Sequence, residues 1–85
     1  MKLIEDNRKK REIMRVINFY IPGLHPIEFV IQEQSDLCEC KNWYLENSEC
    51  VVFMVEEFIT PHKIVETFTY SKVNILDRLE KLKAP

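Results

Sequence analysis

The stretch of residues 50–59, CVVFMVEEFI, constrains the fold more than any other part of this sequence. Successive residues of a β-strand point to opposite faces of a sheet, so a strand with one buried face alternates apolar and polar residues. Here the first six residues are apolar on both faces, which is typical of a strand covered on both sides. One layer of helices covers only one face, and a chain of 85 residues has little else to cover the other. We therefore expect a homodimer that buries the second face between two copies, with one terminal helix on each face as the alternative.

Before this strand, the sequence predicts a helix, a turn and two further strands. Apolar residues recur at helical spacing from residue 3 to residue 19, which predicts a helix over that range. The sequence IPGLHP ends it, because Pro22 disfavours the helical conformation in the preceding residue and Gly23 tolerates a positive φ. From Ile27 apolar and polar residues alternate, which predicts the first strand. Residues 37–45 are predicted to form the second strand, joined by a hairpin to the strand at 50–59.

The last part of the chain contains one ambiguous segment and one clear helix. At residues 61–70, Thr60-Pro61 favours the start of a helix whereas IVETFTY favours a strand, and the helix is preferred. From Ser71 onward, apolar residues at helical spacing and terminal lysines predict a C-terminal helix. The predicted fold is a single α+β domain over residues 1–85. It has an N-terminal helix, a three-stranded antiparallel meander and a C-terminal helix or helix pair, with a fourth strand as the alternative for 61–70.

Composition and cysteine content favour a cytosolic protein without a membrane span. Apolar residues make up 46% and charged residues 31%, the mixture of a globular protein, and no apolar run is long enough to cross a bilayer. The first residues, MKLIEDNRKKRE, reach charged side chains before an apolar signal sequence could form. Three cysteines cannot all pair within one chain, so we expect reduced thiols in the cytosol.

The cysteines lie within DLCECKNWYLENSEC, residues 36–50, and raise the question of a metal or redox site. On a strand Cys38 and Cys40 share a face, but hairpin pairing places Cys50 out of register with them. His25 and His62 each flank a proline in different parts of the chain. We therefore predict no metal and no cofactor.

Signatures of catalysis are also absent from the sequence. Gly23 is the only glycine, which excludes a P-loop, a dinucleotide-binding fingerprint and a nucleophile elbow. Glu56 and Glu57 are adjacent and point to opposite faces of a strand, which makes them a poor paired-carboxylate site. They are interpreted as residues where the strand reaches solvent. A Cys–His nucleophile pair stays open because it needs only two residues. The sequence favours a protein that is not an enzyme.

Charge is distributed unevenly along the chain. Residues 27–70 carry nine acids against two lysines, a net −7, whereas both ends are basic. The cations near the N-terminus lie along the predicted first helix, where a basic patch can bind phosphates. They are Arg8, Lys9, Lys10, Arg11 and Arg15. Nucleic-acid binding is the second hypothesis, since acids lie among these bases and the overall pI is about 5.7.

Binding to a protein partner is the first hypothesis. Nine aromatic residues and a strand apolar on both faces give this small chain more apolar surface than one two-layer fold covers. The predicted contacts are an aromatic pair, one row of the strand at 50–59 and acids of the middle segment that can meet a basic surface. These residues are Trp43, Tyr44, Val52, Met54, Glu39, Glu46 and Glu49. We expect a cytosolic interaction module of the regulator or inhibitor type, whose dimer contact surrounds Trp43 and Tyr44.

Overall fold

The computed structural model describes residues 13–83, which form one four-stranded sheet and two helices. The elements are β1 (Met14–Tyr20), β2 (Ile27–Ile31), α1 (Gln34–Asn47), a 3-10 turn (Ser48–Cys50), β3 (Phe53–Ile59), β4 (Ile64–Ser71) and α2 (Lys72–Lys81). All neighbouring strands are antiparallel, in the order β2-β1-β3-β4. The predicted arrangement of a helix, a three-stranded meander and a helix is therefore wrong.

The predicted N-terminal helix is wrong for the part of it that the structure describes. Residues 14–19 belong to β1, and residues 3–12 lie outside the described residues. The four central residues of β1, 16–19, are all buried although they alternate between the two faces, and β1 lies between β2 and β3. Such a strand has a nearly continuous apolar sequence, which also satisfies the spacing of a helix.

The predicted second strand, residues 37–45, is wrong because this segment lies within α1. Its buried residues are Leu37, Cys40 and Tyr44, whose separations of three and four place them on one face of a helix. Glu39 and Glu46 are exposed, as expected for the opposite side of an amphipathic helix. The segment therefore supplies a layer above the sheet rather than a strand within it.

The first turn of α1 is held by Asp36. Its carboxylate accepts hydrogen bonds from the backbone N–H groups of Gln32 and Glu33 at 2.9 and 2.8 Å. These bonds favour the ionised form and lower the pKa of Asp36 below its ordinary value. The result resembles one half of a capping box, in which a side chain in the first turn satisfies a backbone donor before the helix.

The preferred helix over residues 61–70 is also wrong, since residues 64–70 lie in β4, the fourth strand that was the alternative for this segment. Thr60 and Pro61 begin a hairpin turn instead. The Thr60 hydroxyl oxygen accepts from the N–H groups of His62 and Lys63 at 3.3 and 3.2 Å, and the Thr60 N–H donates to the Lys63 carbonyl at 2.9 Å. The strand predicted from Ile27 and the turn around Gly23, whose φ is +77°, are confirmed.

The C-terminal helix is confirmed as α2, and it packs with α1 on one face of the sheet. That face carries the alternate residues Ile17, Phe19 and Met54, which join one buried core with residues of both helices. The helix residues of this core are Leu37, Cys40, Tyr44, Ile75 and Leu79. No helix within residues 13–83 contributes to the opposite face, where Tyr20 and Phe53 stack with ring centroids 4.5 Å apart. The fold is thus a two-layer sandwich.

A buried carboxylate, Glu56 of β3, joins the two layers. Its side chain is fully buried, so the expectation that it reaches solvent is wrong. Glu56 Oε1 accepts from Arg78 Nε of α2 at 3.0 Å and from the Tyr70 hydroxyl of β4 at 3.3 Å. Arg15 Nε of β1 lies 2.9 Å from Oε2, so the two groups form an ion pair. The geometry between these two atoms does not meet the requirements of a hydrogen bond. One carboxylate of β3 therefore contacts both neighbouring strands and a helix.

Aromatic rings complete this Glu56 cluster. The Arg15 guanidinium lies over the Phe58 ring at 5.2 Å and that of Arg78 over the Tyr70 ring at 5.6 Å. Such stacking holds a planar guanidinium in place and adds a cation–π attraction. Burial raises the pKa of the Tyr70 hydroxyl, an effect that Arg78 partly opposes, so Tyr70 remains a neutral donor near pH 7.

Replacing Glu56 tests how far the fold depends on this cluster. We expect Glu56→Gln to lower the free energy of unfolding by about 3 kcal/mol, because two cations lose their partner. This is the low end for a broken buried pair, since the side chains of Arg15 and Arg78 are 20% and 31% exposed. Urea unfolding at pH 7 measures the change. The control is Glu57→Gln on the opposite face, where the side chain accepts only a 3.5 Å hydrogen bond from Asn18 that a glutamine oxygen can still accept; equal losses would contradict the account.

Candidate interaction surface

The aromatic and strand residues predicted to contact a partner are largely internal. Met54 and Tyr44 belong to the core, with 0% and 4% of their surface exposed, so neither side chain is presented to a partner. Trp43 is partly buried, and its ring stacks on Phe19 at 5.0 Å and lies 5.9 Å from Phe29. Because Trp43 and Tyr44 lie on a helix, the predicted surface that joins them to a row of the third strand does not exist.

The remaining predicted contacts are exposed but lie on different elements. Glu39 and Glu46 are seven residues apart in α1 and share one face of the helix. Glu49 lies in the 3-10 turn, and Val52, 47% exposed, precedes β3. The structure thus offers an acidic helix face and one apolar side chain, separate from the sheet residues predicted to accompany them.

Cys38 and Cys40 do not share a face, which the strand prediction had required. In α1, Cys38 is exposed whereas Cys40 is fully buried, and Cys50 is exposed in the 3-10 turn; all three are free. Burial raises the pKa of the Cys40 thiol to about 12. Within residues 13–83, no three His, Cys, Asp or Glu side chains are grouped so as to hold a metal ion.

Only one of the cations proposed for nucleic-acid binding lies in the described part of the chain. Arg8, Lys9, Lys10 and Arg11 fall outside it. Arg15 pairs with Glu56, and its NH1 group also donates to the Lys83 carbonyl at 3.2 Å. Its charge is therefore compensated within the protein, and the nucleic-acid hypothesis stays a prediction.

A cavity of about 220 Å³ lies beside the Glu56 cluster. It is lined by Ile13, Arg15, Ile31, Phe58 and Lys83. Three of these side chains are apolar, and Arg15 is already paired with Glu56. Apart from Lys83, the lining of this cavity therefore offers few groups that could bind a ligand.

The outer edge of β4 is the most exposed regular element of the sheet. Within residues 13–83 this eight-residue strand pairs only with β3, and every residue from Ile64 to Thr69 is exposed. Three large apolar side chains lie there, Ile64, Val65 and Phe68, with 54%, 45% and 41% of their surface exposed. Unpaired backbone groups along such a strand form a template for another strand.

The opposite edge of the sheet, β2, is shorter and better protected. It has five residues, follows Pro26 directly and packs beneath α1. Short length and proline are ordinary ways to discourage edge-to-edge pairing. Between its ends β4 contains no proline or lysine, and Glu66 is its only charged residue, although its register against β3 shifts between Ile64 and Glu66, as at a β-bulge. The β-branched and aromatic residues of IVETFTY signal a strand, but the sequence does not show that this strand lies at an edge.

Thiol alkylation tests the placement of the cysteines. We expect iodoacetamide at pH 8 to modify Cys38 and Cys50 but not Cys40 in the folded protein, because Cys40 is buried and its thiolate is disfavoured. Mass spectrometry of the digested protein locates the adducts. The same reaction in urea is the control and should modify all three. Modification of native Cys40 as fast as Cys38 would show that α1 does not bury this residue.

The edge of β4 therefore combines exposure, apolar side chains and a backbone that pairs with no second strand among residues 13–83. No helix in residues 13–83 has both the length and the apolar character needed to cross a bilayer. Comparison of the chain with protein-family models, curated proteins and solved structures found no match.

Proposed function

We propose that this chain is a small protein-interaction module that binds an extended strand of its partner along β4. The observation that carries the proposal is the exposed edge from Ile64 to Thr69. In strand addition, main-chain hydrogen bonds supply affinity and alternate side chains supply selectivity. β4 offers both, since its outer backbone lacks a neighbouring strand within residues 13–83 and its apolar side chains fall on both faces.

The rest of the structure supports β4 as a firm platform. Tyr70, near its C-terminal end, is fixed through Glu56 and lies beneath Arg78, while Phe68 packs edge-on against Phe58 at 6.2 Å. An edge that is already extended and held on one side loses little conformational entropy when a strand joins it. The exposed face of α1 with Glu39 and Glu46 can add contacts to a basic partner, but it is not needed for strand addition.

The cytosol is the proposed location, on the argument from cysteine chemistry. All three cysteines are free, and two of them are exposed. Exposed thiols persist in a reducing compartment and oxidise readily outside it.

Matched lysine substitutions on the two edges test the proposal. Val65 on β4 and Val30 on β2 are 45% and 40% exposed, so Val65→Lys and Val30→Lys place the same charge in similar surroundings. Tagged wild type and both variants are incubated with a lysate of the native cell, and any retained protein is purified for a direct affinity measurement. We expect Val65→Lys to weaken binding by at least about tenfold, whereas Val30→Lys leaves it nearly unchanged.

The comparison between the two edges also shows what would contradict the proposal. In this experiment, a second copy of this chain counts as a bound protein. If no bound protein distinguishes Val65→Lys from Val30→Lys, the edge of β4 is not the binding surface. Circular dichroism of both variants confirms that each has kept its fold.

A further inference from the structure

We draw no further inference here: the strongest candidate, the open face of the sheet around the stacked rings of Tyr20 and Phe53, carries none because nothing in the structure shows what covers it.

Discussion

The burial of one carboxylate, Glu56, is the constraint on which the arrangement of strands and helices depends. A charged group deep in a protein is tolerated only when opposite charges and hydrogen-bond donors surround it. Its partners are Arg15 of β1, Tyr70 of β4 and Arg78 of α2, so satisfying Glu56 fixes both neighbouring strands and the helix above them. These contacts of Glu56 hold the C-terminal end of β4 in place, whereas the rest of that strand is exposed.

The position of β1 explains why the sequence indicates a helix where the structure has a strand. The central residues of β1 are buried on both faces, and one of its two neighbouring strands, β3, is contributed by residues far away in sequence. Val16 and Asn18 are buried although no described helix covers their face. The spacing of apolar residues alone cannot distinguish a strand buried on both faces from a helix. By contrast, Ile27–Ile31 lies at an edge, alternates more clearly and is predictable from the sequence.

The candidate site was accessible to sequence analysis only in part. The separations of Leu37, Cys40 and Tyr44, together with Asp36 at the helix start, contain the signal for α1, but the CxC spacing also fits a strand. The residues of β4 have high strand propensity, which competes with Thr60-Pro61 as a helix start. Exposure of Val65 and Phe68 depends on which strand is outermost, and burial of Glu56 depends on Arg15 and Arg78. Both are tertiary properties that no local pattern encodes.

Amide hydrogen exchange along β4, compared with and without the protein that the wild type retains from the lysate, tests the central claim that this edge receives another strand. The account predicts that β4 amides exchange more slowly in the complex, because outward-facing N–H groups become hydrogen-bonded to the added strand. The amides of β2, on the opposite edge, should be unaffected. Equal exchange in β4 with and without the bound protein, or protection that rises equally in β2 and β4, would contradict the account.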